Sequence, residues 1–182
     1  MKLAWMIAAM AAAAPQVWAA VPPGPHTVPG SALSCVAVSP TGRPLTFTPG
    51  IGLTPRRLSA RGNLLLTGCA SADGTGAFLR SGWVTLKGTA QASCTSAQRV
   101  RGTARVTWFG ADGRPVGTSE VRTKADRLAT RSPADSLLSG TVVSGPLARE
   151  RVSGSITPAM ALLGCATRGM KSLAAAGRVT FG

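Results

Sequence analysis

Residues 99–108 read Arg-Val-Arg-Gly-Thr-Ala-Arg-Val-Thr-Trp, and this stretch decides the fold class. Small or apolar side chains occupy every second position, and arginine or threonine fills most positions between them. A period of two is typical of a β-strand with one face in a core and the other in solvent. The predicted inward set is Val100, Gly102, Ala104, Val106 and Trp108, and the outward set is Arg99, Arg101, Thr103, Arg105 and Thr107.

Further strand and turn signals recur along the chain. The Asp112-Gly113 step predicts a hairpin turn after this strand, with residues 116–123 as the return strand. Residues 63–69 and 158–165 are apolar enough to form strands buried on both faces. The repeated pattern therefore predicts an all-β protein rather than a helical one.

Helix signals are confined to one region. Residues 124–138 could be helical, but Ser132 and Pro133 interrupt them, so we expect a loop with at most a turn or two of helix. The whole pattern predicts an antiparallel sandwich or small barrel of roughly eight to ten short strands. Periodicity does not choose between these two architectures.

The N-terminus carries the pattern of a secretory signal peptide. Lys2 precedes an unbroken apolar run at residues 3–14, and small or tolerated residues follow at 17–19. This run is shorter than the roughly 20 residues of a membrane-spanning helix. We therefore expect residues 1–19 to be a cleaved signal peptide, and the protein to be secreted and extracellular with no transmembrane segment after cleavage.

Two segments make up the predicted mature chain. Residues 20–30 contain four prolines, which disfavour a helix or a central strand and predict an extended Pro-rich linker. Residues 31–182 are then long enough to form a single β domain with its own core.

All four cysteines lie in the predicted β domain, at Cys35, Cys69, Cys94 and Cys165. An even number of cysteines in an exported chain predicts two disulfides, for which three connectivities exist. A zinc site would need more closely spaced ligands, and the single histidine is His26. We expect no metal site and no cofactor.

Several structural motifs are shared with a known group of proteins. They are the Pro-Gly-Ile-Gly-Leu-Thr-Pro step at 49–55, Gly68-Cys69, Cys94, Val106-Thr107-Trp108, Gly113, Ser-Gly-Thr-Val at 139–142, Gly145, Cys165-Ala166 and the last strand at 177–181. In these the chain resembles small exported β proteins of high-GC Gram-positive bacteria, which are mostly uncharacterised. The resemblance implies the same fold and compartment, contributes to our preference for Cys35–Cys69 with Cys94–Cys165, and implies no catalytic or binding residue.

The residue types present give little support to enzyme chemistry. The chain has no tyrosine, and His26 lies in the predicted linker, where a rigidly held catalytic base is not expected. Paired carboxylates in a secreted hydrolase are the remaining enzymatic alternative. We expect no catalytic residue and a non-enzymatic protein. The six acids are Asp73, Asp112, Glu120, Asp126, Asp135 and Glu150.

Positive charge is the strongest functional signal. The chain has 20 basic and 6 acidic residues and a net charge of +14, so it will associate with polyanions at least nonspecifically. With Phe109 as the aromatic residue near the basic strand, we expect no specific nucleic-acid recognition. The candidate binding residues, if the return strand also points its charges outward, are Arg99, Arg101, Arg105, Arg122 and Lys124.

Two interpretations of these charges remain open. They could bind a phosphate-rich or uronate-rich polymer, or they could form a solvated sheet face that blocks edge-to-edge aggregation. The sequence favours a structural or binding role at the cell envelope. The alternatives are a dedicated polyanion-binding module and, less favoured, the carboxylate hydrolase.

Overall fold

The fold is that of a computed structural model, which describes residues 32–128 and 132–182, without the side chains of residues 125–128. The predicted signal peptide, the predicted linker and Ser31 lie outside these described residues.

Ten strands and two short helices make up the described parts of the chain. The strands are β1 (Leu33–Val38), β2 (Leu45–Ile51), β3 (Arg56–Ala70), β4 (Ser81–Ala92), β5 (Ala97–Phe109), β6 (Pro115–Leu128), β7 (Gly140–Ser144), β8 (Arg151–Ser155), β9 (Met170–Leu173) and β10 (Ala176–Phe181). The helices are α1 (Pro133–Leu137) and α2 (Ala159–Arg168).

Eight of the strands close into an antiparallel barrel. Their order is β1-β10-β8-β7-β6-β5-β4-β3, and β3 pairs with β1 to complete the ring. The two remaining strands extend the sheet, since β2 pairs with the first half of β3 and β9 pairs with β2. The predicted all-β class is confirmed, and the barrel is the architecture that the chain adopts.

The barrel core follows the alternation expected from residues 99–108. Val100, Ala104, Val106 and Trp108 are buried, and Trp108 is fully enclosed. Its indole Nε1 donates a 2.8 Å hydrogen bond to Oγ of Ser119, so burial leaves this polar atom satisfied. The apolar interior retains about 10 Å³ of space, at the limit for one water molecule. This cavity is too small for a ligand larger than a water molecule.

Both predicted disulfides are present. Cys35–Cys69 joins β1 to β3 at the seam where the barrel closes. Cys94–Cys165 joins the turn between β4 and β5 to helix α2. The predicted pairing is confirmed, and two disulfides are consistent with an extracellular protein.

Helix α2 corrects one prediction. Residues 158–165 were expected to form a buried strand, but Pro158 precedes a helix that ends at Gly169, whose φ is 70°. Alanine, methionine and leucine favour helix, and glycine accepts the left-handed conformation that ends it. Cys165 is the buried residue of this helix. Neither α1 nor α2, the helices of the described residues, is long and apolar enough to cross a membrane.

Helix α1 lies in the one region where a short helix was expected. Ser132 and Pro133, which were expected to interrupt a helix, start one instead. Oγ of Ser132 accepts a hydrogen bond from the backbone N–H of Asp135 at 3.3 Å, and proline is favoured in the first turn because its missing N–H would have no helical partner. Leu137 of this helix packs into the barrel beside Gly88.

Candidate binding face

The long strands β3, β4, β5 and β6 present one continuous outer surface. Their register aligns outward side chains in rows that run across the four strands. One row is Ser59, Thr89, Arg101 and Lys124; the next is Arg61, Lys87, Thr103 and Arg122; the third is Asn63, Thr85, Arg105 and Glu120.

All five candidate residues from the sequence are exposed on this surface. The register adds three basic residues that the sequence analysis did not connect with them: Arg57, Arg61 and Lys87. We call the resulting set the basic face, and it consists of Arg57, Arg61, Lys87, Arg99, Arg101, Arg105, Arg122 and Lys124.

A β-bulge shapes one end of the basic face. The register of β4 against β5 shifts between Thr89 and Gln91, because β5 carries one extra residue there. Arg99 has a φ of 50° and is exposed next to Gln98, which is also exposed. The bulge therefore adds a second exposed side chain to this end of the strand.

Three adjoining depressions run over the basic face. The first has a volume of about 750 Å³ and is lined by Arg57, Gln91 and Arg99 together with Thr89 and Arg101. The second has a volume of about 510 Å³ and shares Thr89 and Arg101 with the first.

The third depression, of about 320 Å³, shares Lys87 and Thr103 with the second and continues to Arg105 and Arg122. Because each depression shares residues with the next, together they form one groove, which we call the basic groove. From Gln91 to Thr85 it follows β4 for roughly 20 Å, at about 3.4 Å per residue.

Like charges lie directly opposite each other on this face. Arg61 of β3 is the register partner of Lys87 of β4, and Arg101 of β5 is the partner of Lys124 of β6. Opposite residues in antiparallel strands have Cβ atoms about 5 Å apart, so like charges there repel and destabilise the sheet. Glu120, opposite Arg105, is the one acid among the described residues that line the basic groove.

Interactions within the protein also involve the charged side chains of this region. One ion pair between described side chains, Arg114–Asp112 at 3.7 Å, lies in the turn between β5 and β6 and away from the basic face. Arg101 donates to the backbone oxygen of Val100 at 2.9 Å, which holds its guanidinium close to the strand.

The position of these charges argues against protection of a sheet edge. Strands β4 and β5 are each paired on both sides inside a closed barrel. Charged residues prevent edge-to-edge aggregation on strands that have an unpaired side. The charges on β4 and β5 protect no such edge.

Trp83 lies on the same outer surface, next to the basic groove. It is an outward, partly exposed residue of β4, with Leu65 and Thr107 as its partners on the neighbouring strands. Trp83 was not among the predicted binding residues, although the alternation that turns Thr85 and Lys87 outward also turns Trp83 outward. The sequence therefore contained a signal for the outward position of Trp83, because this residue lies two positions before Thr85 and four before Lys87.

The polar residues beside Trp83 are ordered by a hydrogen bond. Oγ1 of Thr85 donates to Oδ1 of Asn63 at 3.0 Å across the β3–β4 pair. This bond uses the acceptor oxygen of the Asn63 amide and leaves its Nδ2 donors for other partners. Trp83 therefore lies beside ordered donors as well as beside Arg105.

Three of the acids serve local structure. The backbone N–H of Thr75 donates to Oδ1 of Asp73 at 2.9 Å, and this bond, with one from Oγ of Ser71, lowers the pKa of Asp73 below its usual value. Asp112 accepts from the N–H of Arg114 within its turn. Asp135 of α1 accepts hydrogen bonds from two backbone N–H groups after β8.

Of the remaining acids, Glu120 lines the basic groove, and Glu150 is not among its lining residues. The side chain of Asp126 lies outside the described residues. No depression over the basic face is lined by two described acids. The described residues therefore contain no pair of carboxylates that lines this groove.

Comparison with other proteins adds no assignment. No family model matches the chain, and no curated protein or solved structure shows significant similarity to it. The resemblance to exported proteins of high-GC Gram-positive bacteria stays a prediction.

Proposed function

We propose that this protein is a secreted, non-enzymatic β domain that binds an anionic polymer at the cell envelope through its basic face. The observation that carries the proposal is the basic groove, an open channel whose described lining includes seven basic residues and one acid.

The shape of the groove favours a polymer over a small anion. Its three depressions join end to end over roughly 20 Å of strand, whereas one phosphate or carboxylate would contact only one or two arginines. A polymer with regularly spaced negative charges can satisfy the whole length. Binding then releases the counterions condensed on the polymer, which supplies much of the affinity.

The residue types favour oxyanions as the charged groups of the ligand. Six of the eight residues of the basic face are arginines, whose planar guanidinium groups bind carboxylates and phosphates with two parallel hydrogen bonds. The outward threonines between them add hydroxyl donors. The predicted signal peptide and the two disulfides support an extracellular location, where phosphate-containing and uronate-containing polymers are the expected partners.

Two variants with the same net charge test the proposal. In the face variant, Arg61, Arg105 and Arg122 are each replaced by glutamine, which removes three charges from three neighbouring strands. In the control variant, R43Q, R168Q and K171Q remove three exposed charges that lie outside strands β3 to β6. Binding to polyphosphate and to polygalacturonate is measured by fluorescence anisotropy between about 0.05 and 0.5 M salt.

We expect the wild-type affinity to fall steeply with salt. The face variant should bind more weakly, and the magnitude of its log–log salt slope should be smaller by about two, since each lost contact removes about 0.7. The control variant should change much less. Equal losses of affinity for the two variants would show that bulk charge alone drives binding. If the wild-type protein bound neither polyphosphate nor polygalacturonate, the proposal would be refuted.

A further inference from the structure

Trp83 and its neighbours indicate which class of anionic polymer the basic groove binds. We infer that the ligand is an acidic polysaccharide, and that one of its sugar rings stacks on Trp83 while its carboxylates lie along the basic groove. This inference rests on the proposed function, but it concerns a different residue and makes a separate prediction.

The geometry around Trp83 matches the chemistry of an acidic sugar. Arg105 and Asn63 are its diagonal neighbours on the flanking strands, at a distance of about 7–8 Å, which long side chains can span. The face of an indole ring is electron-rich and packs favourably against the C–H groups on one side of a sugar ring. Arg105 is then placed to bind a carboxylate of that sugar, and Asn63 to donate hydrogen bonds to its hydroxyls.

The rest of the groove also places uncharged hydrogen-bonding side chains next to basic ones. Thr89, Thr103 and Gln91 lie between the basic residues and line the depressions. Their hydroxyl and amide groups match the alternating acceptors and donors of a hydroxyl-rich chain. A polymer of inorganic phosphate could accept hydrogen bonds from the arginines and from these groups, but it has no C–H face to pack on the indole ring.

The number of aromatic residues disfavours single-stranded nucleic acid. Proteins that bind such strands stack successive bases on several aromatic side chains along the groove. No aromatic residue is among the described residues that line the three depressions; Trp83 lies two positions beyond Thr85 on β4, and Phe109, on its diagonal, lies farther from the basic rows. One stacking platform followed by polar and basic rows fits a polysaccharide better.

Tryptophan fluorescence gives a direct readout. Trp83 and Trp108 are the tryptophans of residues 20–182, and Trp108 is fully buried, so a ligand-induced spectral change reports on Trp83. Mature protein is titrated with polygalacturonate, polyphosphate and oligothymidylate at one salt concentration. We expect polygalacturonate to quench or blue-shift the emission, and polyphosphate to bind without this change.

Substitutions at one position test the stacking itself. W83T should weaken polygalacturonate binding by about tenfold, the value expected for loss of one stacked ring, and leave polyphosphate binding within about twofold. W83F should retain most of the affinity because it keeps an aromatic face. V143T, at an exposed position of β7, is the control, and thermal unfolding of each variant identifies loss of folding.

The outcomes separate the two proposals. Equal weakening of both polymers by W83T, or polygalacturonate binding without a spectral change, would overturn the saccharide inference and leave the basic groove in place. Tighter binding of oligothymidylate with quenching of Trp83 would overturn it in favour of single-stranded nucleic acid. Absence of binding to all three polymers would refute the proposed function itself.

Discussion

Removing one positive charge from the basic face should stabilise this protein. Lys87 lies opposite Arg61 and diagonal to both Arg101 and Arg105, so its ammonium group is repelled by three guanidinium groups. For charges about 7 Å apart in water, the repulsion is about 0.6 kcal/mol per pair, and each diagonal pair adds somewhat less. We therefore expect K87Q to raise the free energy of unfolding by about 1 kcal/mol at low salt.

Urea unfolding at two salt concentrations measures this effect. At 0.01 M salt the Debye length is about 30 Å and the full repulsion acts, whereas at 1 M it is about 3 Å and the repulsion is screened. The stabilisation by K87Q should therefore disappear at 1 M salt. K171Q, in β9 and away from the basic face, is the matched control and should show little change at either concentration.

The same substitution should weaken polymer binding, because Lys87 lines two of the three depressions. A variant that is more stable and binds less well is the result expected when a binding site is maintained at a cost in stability. The reasoning would be refuted if K87Q were less stable than wild type at low salt. It would also be refuted if the stabilisation persisted unchanged at 1 M, since the gain would then come from strand propensity rather than charge.

Two further predictions concern the core and the disulfides. A Cβ on Gly88 would lie 2.6 Å from Cδ2 of Leu137 and 2.9 Å from the backbone oxygen of Arg101, so G88A should destabilise the protein by about 2–3 kcal/mol. L137A should lower the free energy of unfolding by about 2–4 kcal/mol. In urea unfolding, the double variant should lose less than the sum of the two single losses. Strict additivity would show that the two sites do not touch. Removing the Cys94–Cys165 disulfide, which closes a sequence separation of 71, should lower the unfolding free energy by about 4 kcal/mol while the far-UV circular dichroism of the barrel is kept.

The strand content was predictable because its signal is local. The alternation in residues 99–108 is set by the β period, and it correctly separates buried Val106 and Trp108 from exposed Arg101 and Arg105. Closure of the ring depends instead on the pairing of β1 with β3, and no local pattern specifies such a contact. For this reason the sequence left sandwich and barrel open.

The candidate site was predicted only in part, for the same reason. Arg101 and Arg105 share a strand, so their common face follows from parity alone. Arg61 and Lys87 join them only through the register of β3, β4 and β5, which packing determines. Helix α2 was missed because an apolar run of that length fits a strand or a helix, and its helix-forming residues were the deciding signal.

Solvation alone does not explain why like charges face each other across neighbouring strands of the basic face. A sheet surface that serves only to stay in water gains most from interspersed charges of both signs, since opposite charges on neighbouring strands attract. Here Arg61 faces Lys87 and Arg101 faces Lys124, and β4 and β5, which carry Lys87 and Arg101, have no free edge to protect. Their repulsion is relieved when a polyanion lies in the groove, so the arrangement that lowers the stability of the free protein raises its affinity for such a ligand.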